Sequence, residues 1–223
     1  MRQLTDPDLI LVFADEALLV LDKPAGLLSV PGRGEDKQDC LSRRAQHYFP
    51  DALVVHRLDM ATSGLMLMAR SPDVQRSLSQ AFADRSVRKR YIAVVDGKVS
   101  APDQEWGVID LPIAVDWPNR PRRVISTAGK PSITHWHLAS TAAITEPASR
   151  HAATRLELSP VTGRSHQLRV HLQALGHAIL GDVLYASPEV AARCPRLLLH
   201  ASQLALTHPK SGEHLCFMSP PAF

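Results

Sequence analysis

The sequence predicts an α+β fold built on a mostly antiparallel sheet, and three observations indicate this class. Apolar runs with the two-residue period of strands are interleaved with segments that carry apolar residues at helical spacing. Several connections between the runs are short and polar, as in hairpins, whereas parallel strands need longer crossovers. The 223 residues are 45% hydrophobic and 21% charged, an ordinary globular composition. The length fits one large domain or two small ones, and we predict one domain over residues 1–223.

The N-terminal part of the chain carries the clearest local signals. Its strand-like runs are residues 9–14, 17–21, 52–55 and 65–69. Asp15-Glu16 separates the first two runs and predicts a hairpin. Asp39 is expected to cap a short helix that runs through Phe49. Ser71-Pro72 is typical of a helix start, and this helix is expected to end near Asp84.

The C-terminal part continues with strands and one clear helix. Its strand-like runs are residues 89–95, 132–139, 152–158, 197–206 and 215–218. A polar hairpin around Glu146-Pro147 is expected to join the second run to the third. Residues 98–130 are rich in proline and glycine and look like a long loop or insertion. Apolar residues at helical spacing before Gly176 predict a helix that this glycine ends.

Several classes of chemistry are not supported by the sequence. The three cysteines are widely spaced, which disfavours a disulfide framework or a thiolate zinc site, and the eleven histidines include no H-E-x-x-H motif. The glycine patterns of nucleophile elbows, phosphate loops and dinucleotide sites are missing. No apolar run approaches the roughly 20 residues that span a bilayer, and the N-terminus is polar. We therefore expect a cytoplasmic protein without a metal ion or a membrane anchor.

Asp59 is the strongest candidate for chemistry. It lies in a polar stretch, His56-Arg57-Leu58-Asp59, between two apolar runs, and such a loop is tied to the core at both ends. An arginine nearby would favour the ionised carboxylate, which suits a nucleophile or a base better than a general acid. The alternative is that Asp59 caps a turn and that Arg57 is its surface partner.

Basic residues are clustered rather than spread evenly. The net charge is +3, but the first forty residues are acidic, and the positive charge is concentrated afterwards in two groups: Arg85, Arg88, Lys89 and Arg90, and then Arg120, Arg122 and Arg123. Such groups suit a phosphate backbone, although either one alone is equally consistent with a solvated face. Trp117, beside the second group, is suited to stacking on a base or, alternatively, to pinning the loop to the core. Together these features favour nucleic acid as the partner.

The order of four motifs resembles the RluA family of pseudouridine synthases. The motifs are Lys23-Pro24-x-Gly26, His56-Arg57-Leu58-Asp59-x-x-Thr62-Ser63-Gly64, Lys89-x-Tyr91, and Gly163-Arg164-Ser165-His166-Gln167-Leu168-Arg169 followed by Gly181-Asp182. The resemblance covers nearly the whole chain and is greatest to the branch that acts on both ribosomal and transfer RNA. Many members have Thr at Ser165 and Pro at Ala178, and neither difference touches the proposed chemistry. We therefore expect no N-terminal S4 domain of the kind that other branches carry.

The resemblance implies a pseudouridine-synthase fold, with a central cleft in a mixed, mostly antiparallel sheet. It implies isomerisation of uridine to pseudouridine in a 23S rRNA hairpin loop and in tRNA anticodon stem-loops, without a cofactor or a metal ion, by a protein that we expect to be a monomer. By this analogy Asp59 is the catalytic carboxylate, either as the nucleophile at C1′ or as the base that leads to a glycal. The target base must leave its stack, which costs a few kcal/mol and least in a loop.

The same analogy assigns the other site residues. Tyr91 would lie against the flipped uracil and assist proton removal at C5, unless it only packs in its strand. Arg169 is expected to pair with Asp59, with Arg164 as the alternative partner. The expected RNA contacts, with Arg57 entering the RNA, are His56, Arg57, Arg88, Lys89, Arg120, Arg122 and Arg164. The competing hypotheses are an RNA-binding protein without activity and a nucleoside glycosidase that releases uracil.

Overall fold

The computed structural model describes residues 5–6, 9–139 and 152–223. These residues form, in chain order, β1 (Thr5–Asp6), β2 (Leu9–Ala14), β3 (Leu18–Lys23), α1 (Leu41–Tyr48), β4 (Leu53–Val54), β5 (Ser63–Ala69), α2 (Pro72–Ala83), β6 (Arg88–Asp96), β7 (Gly107–Asp110), β8 (Ile113–Val115), β9 (Arg123–Ile125), β10 (Ile133–Leu138), β11 (Ala153–Pro160), α3 (Gln167–Ala174), α4 (Pro188–Ala192), β12 (Leu199–Thr207) and β13 (His214–Met218). The chain divides into two compact units. The first unit is Met1–Lys89 with Ala201–Pro221, and the second unit is Arg90–His200 with Ala222–Phe223. The prediction of one domain over residues 1–223 stays a prediction.

The first unit is a sheet covered by a helix on each face. Its strand order is β1-β2-β3-β5-β12, with β4 beside β5 and β13 beside β12. The central strands β3 and β5 are apolar at successive positions, because their alternating side chains face two separate cores. One core packs against α2 through Val20, Leu65 and Leu78, and the other packs against α1 through Leu19 and Met66.

Two of the three local predictions for this unit are confirmed. β2 and β3 pair antiparallel as a hairpin, and the Asp15 carboxylate accepts the backbone N–H of Leu18 at 2.8 Å in the turn. The Ser71 hydroxyl accepts the N–H of Val74 at 3.3 Å at the start of α2. The predicted cap at Asp39 is wrong, because α1 begins one residue later, after Cys40. The Asp39 carboxylate instead accepts two hydrogen bonds from Arg44, and these lower its pKa.

The second unit is built on a four-stranded antiparallel sheet. Its order is β6-β11-β10-β7, and a separate hairpin is formed by β8 and β9. The helix predicted before Gly176 is α3, and this glycine has a φ of +83°, as expected after a helix. The prediction of a long loop over residues 98–130 is wrong, since β7, β8 and β9 lie within it. These strands are only three or four residues long, too short to show alternation between prolines and glycines.

The predicted α+β class is confirmed, with a large sheet and few helices. The predicted strands over residues 132–139, 152–158 and 197–206 correspond to β10, β11 and β12. The hairpin predicted around Glu146-Pro147 lies outside the described residues. Within the part of the chain that is described, no helix is long and apolar enough to cross a membrane.

Candidate active site

Asp59 lies in the connection between β4 and β5, and a tight turn shapes this loop. The Thr62 N–H donates to the Asp59 carbonyl at 3.1 Å, and the Asp59 side chain is partly exposed. Ser29 fixes the neighbouring residue from both sides, since its hydroxyl donates to the Leu58 carbonyl at 2.7 Å and accepts the Leu58 N–H at 3.1 Å. The loop is therefore held through its backbone, and its acid is presented from a rigid position.

Lys23 anchors the other side of the same loop from inside the protein. Its side chain is fully buried, and its ammonium donates to the carbonyls of Pro24, Leu27 and Met60 at 2.7–3.0 Å. The Gly26 N–H also donates to the Met60 carbonyl, at 2.9 Å. A buried ammonium is tolerated only with such partners, so the Lys23-Pro24-x-Gly26 motif and the acid loop form one structure. No role was assigned to this motif from the sequence, although a lysine at the end of an apolar strand could have indicated a structural one.

Gly64 fixes the point where the loop enters β5. Its φ is +109°, a backbone conformation that residues other than glycine rarely adopt. A Cβ at this position would lie 2.4 Å from the Ala201 carbonyl oxygen. Thr62 and Ser63, just before it, are buried. The glycine of the motif is therefore required by its close packing against β12.

His56 holds the start of the loop and is uncharged. Its Nε2 accepts the Leu67 N–H of β5 at 2.9 Å, so the ring hydrogen lies on Nδ1, and the ring stacks on Phe82 at 4.6 Å. Burial of the ring, together with the nearby Lys89 charge, lowers the His56 pKa to about 3. This geometry favours a structural task for His56 over the predicted RNA contact.

The other predicted RNA contacts of the first unit differ in exposure. Arg57 and Arg88 are exposed, and among the residues that the structure describes neither guanidinium makes a hydrogen bond or an ion pair. Lys89 is partly buried, with its ammonium 5.8 Å from the centre of the Phe82 ring, and burial lowers its pKa. Arg57 and Arg88 are therefore available to phosphates, and Lys89 is less so.

The second unit carries Tyr91 and Arg169 on regular elements. Tyr91 is partly buried in β6, opposite Leu158 of β11. Arg169 is only 4% exposed on α3, and its Nε and Nη2 donate to the two carboxylate oxygens of Asp182 at 2.7 and 2.6 Å. Two parallel charge-assisted bonds fix the guanidinium firmly. Sequence reasoning quoted Gly181-Asp182 but missed Asp182 as a partner of Arg169, and the predicted pairing of Arg169 with Asp59 stays a prediction.

A buried polar network places α3 and the turn before it. The Gln167 side chain donates to the Thr134 hydroxyl at 3.0 Å and accepts the Arg164 N–H at 3.0 Å. His171, also buried, contacts the Thr134 hydroxyl at 2.9 Å and the Leu111 carbonyl at 3.0 Å, and burial lowers its pKa. Because these partners lie on the neighbouring strand and loop, the start of α3 has little freedom.

The hairpin of β8 and β9 presents a basic surface to solvent. Trp117 is 67% exposed, with the Arg120 guanidinium 4.8 Å from its ring, so exposure favours a stacking role over the alternative of pinning the loop. Arg120 and Arg164 are exposed, and Arg122 is partly so. Trp117 and Arg164 also line an open groove of about 600 Å³ with Arg123 and Lys130. An aromatic ring among cations is the combination that single-stranded nucleic acid requires.

The described residues contain no group of three or more His, Cys, Asp or Glu side chains arranged to hold a metal ion.

The sequence of this chain is similar to that of proteins of known family. The family model for RNA pseudouridylate synthase matches residues 17–174. The dual-specificity RNA pseudouridine synthase RluA of Escherichia coli K12 is 46% identical over 219 residues, which cover 98% of this chain and 95% of that protein. The protein of the same name from Vibrio parahaemolyticus is 48% identical over 208 residues, covering 93% and 81%.

A solved structure agrees with these sequence relatives. Human RNA pseudouridylate synthase domain containing 1 superposes with a TM-score of 0.78 at 26% identity, covering 96% of this chain and 84% of that one. The fold is therefore that of an RNA-modifying isomerase. The chain is a member of the RNA pseudouridylate synthase family, which confirms the resemblance drawn from its four motifs.

Proposed function

We propose that this enzyme isomerises specific uridines to pseudouridine in a 23S rRNA hairpin loop and in tRNA anticodon stem-loops. The dual specificity is carried over from relatives at 46–48% identity that bear this name. The single observation that supports a catalytic use of Asp59 is the backbone-anchored loop, in which Lys23 and Ser29 hold the residues on either side of the acid. Such immobilisation is more than a turn cap needs. The substrates are RNAs of the cytoplasm, and we propose a monomer there.

The reaction breaks one bond and forms another at the same sugar carbon, C1′. The N1–C1′ bond of the uridine breaks, the uracil turns, and a C5–C1′ bond forms while the C5 proton is lost and N1 gains one. Asp59 would act as the nucleophile at C1′ or as the base that leads to a glycal. Tyr91 would lie against the flipped uracil and assist proton removal at C5, and Arg169 would keep the carboxylate ionised.

The RNA would be held by the exposed cations around these groups. Arg57 would enter the RNA beside the extruded base, since it is exposed next to the acid loop. Arg88, Arg120, Arg122 and Arg164 would contact phosphates, and Trp117 would stack on an unpaired base. Lys89 and His56 would instead support the loop of Asp59, because both side chains lie against Phe82.

Incubation of the purified protein with a tRNA anticodon stem-loop, and separately with a 23S rRNA hairpin, tests this proposal. We expect both RNAs to gain pseudouridine, detected by chromatography of the nucleosides. Release of free uracil would indicate a nucleoside glycosidase, and tight binding without conversion would indicate an RNA-binding protein. Pseudouridine maps of RNA from cells that lack the protein would then identify its target positions.

A further inference from the structure

Tyr185 is buried in the second unit and has no role in the proposed chemistry. It is only 4% exposed and packs with Ile113 of β8 and Val170 of α3. It comes four residues after Gly181, in the connector that carries Asp182. This side chain therefore touches both the basic hairpin and the helix of Arg169.

Its hydroxyl joins the hairpin to the start of α3. The Arg123 N–H of β9 donates to the Tyr185 hydroxyl oxygen at 2.8 Å. The same hydroxyl oxygen also forms a hydrogen bond with Nδ1 of His166, 2.6 Å away. His166 has a φ of +58°, which is uncommon outside glycine, so a side-chain partner helps to hold it there.

Its ring and backbone act on Arg169. The Arg169 guanidinium carbon lies 5.0 Å from the ring centre, and that of Arg122 lies 5.7 Å from it. The Tyr185 N–H donates at 3.2 Å to Asp182 Oδ1, the same oxygen that accepts Arg169 Nη2 at 2.6 Å. A shift of Tyr185 would thus alter both the cation–π contact of Arg169 with the ring and the ion pair of Arg169 with Asp182.

We propose that Tyr185 is a positioning residue that couples the β8–β9 hairpin to Arg169. RNA held by the arginines of the hairpin positions β9, and the Arg123 N–H of β9 positions the tyrosine hydroxyl. The tyrosine ring and the Asp182 carboxylate in turn position the Arg169 guanidinium. The coupling rests on the proposed function of these arginines. It predicts that substrate binding at the hairpin and catalysis at Arg169 are not independent of each other.

The substitution Y185F removes the hydroxyl and keeps the ring. We expect it to raise KM for the anticodon stem-loop and to lower kcat, each by about fivefold, because hairpin and guanidinium are displaced together. The melting temperature should fall by only about 2–6 °C, because the packed ring remains and only the hydrogen bonds of the hydroxyl are lost. Y48F in α1 of the first unit is the matched control and should change neither constant.

A double-mutant cycle with R120A separates coupling from a structural effect. Arg120 lies against the Trp117 ring. Within the described part of the chain Arg120 makes no hydrogen bond or ring contact with Tyr185, so independent effects on kcat/KM would multiply. If Tyr185 positions the hairpin, Y185F already abolishes most of the contribution that Arg120 makes to kcat/KM. Adding R120A should then lower kcat/KM little further, and the double variant should resemble Y185F. Multiplying losses, or a Y185F enzyme with wild-type constants, would overturn the coupling.

Two further variants keep the test decisive. If Y185F does not fold, the same cycle is run with H166N, which tolerates the left-handed backbone but is too short to reach the tyrosine hydroxyl, and the same criterion applies. D59N is assayed in parallel: if it still makes pseudouridine, the proposed function fails, whereas inactive D59N with a multiplicative cycle rejects only the coupling.

Discussion

The buried Lys23 ammonium shows how one residue sets the position of the acid loop. Its three carbonyl partners are those of Pro24 in its own motif, of Leu27 just after the motif, and of Met60, one residue after Asp59. Removing the charge would take the ammonium donor away from all three carbonyls. The stability of the fold and the placement of the acid are therefore linked at this side chain.

Replacement of Lys23 by methionine tests this link. We expect K23M to lower the free energy of unfolding by about 2–4 kcal/mol, because three carbonyls lose a charged donor, and to lower pseudouridine formation in the protein that remains folded. Urea unfolding and a stem-loop assay measure the two effects. K37M, at an exposed lysine, is the control. Wild-type stability in K23M would show that the ammonium does not hold the loop.

His56 makes a second prediction at this scale, through pH. The folded ring stays neutral down to about pH 3, whereas an unfolded histidine is protonated below about 6.5. Between these values the unfolded chain binds more protons, so this contribution to stability is present above pH 6.5 and is lost as the pH falls.

H56Q separates the histidine from other groups that titrate in acid. Its amide oxygen can accept the Leu67 N–H, but it has no proton to gain. We expect the wild type to lose at least about 1 kcal/mol more than H56Q between pH 7 and pH 4.5 in urea unfolding. Equal losses would contradict a buried neutral imidazole, and H56F, which cannot accept the N–H, should be the least stable at pH 7.

Among the elements, β5 depends on its first glycine. The φ of Gly64 and the closeness of Ala201 leave no room for a side chain. We expect G64A to cost about 3 kcal/mol of stability, measured as a lower urea midpoint. Gly163 has open space where a Cβ would lie, so G163A is the control and should be nearly neutral. A stable G64A would mean that β5 and β12 can separate slightly without cost.

The elements also show which signals a sequence carries. α2 was predictable because Ser71 and Pro72 mark a helix start by local chemistry. The short strands β7 to β9 were missed, since three or four residues cannot establish a period. The place of Asp59 was predictable from two flanking apolar runs, but the partners Lys23 and Asp182 were not, because they depend on how distant segments pack.

For the whole molecule, the exposed arginines predict a binding reaction that depends on salt. Each phosphate contact releases counterions, so the slope of log K against log salt should fall by about 0.7–0.9 for each contact removed. We expect R88A and R120A each to show this change in filter binding of a stem-loop. R76A, whose arginine pairs with Asp73 on α2, is the control. Unchanged slopes would place the RNA on another surface.

The central claim is that Asp59 carries the chemistry while the arginines carry the RNA. The most direct test is single-turnover conversion of a tRNA anticodon stem-loop by D59N, with the dissociation constant measured on the same sample. The amide keeps the size of the side chain and removes its charge, so we expect binding within about threefold of wild type and a loss of activity of at least about a thousandfold. Pseudouridine formed by D59N at a rate near that of the wild type would contradict the account.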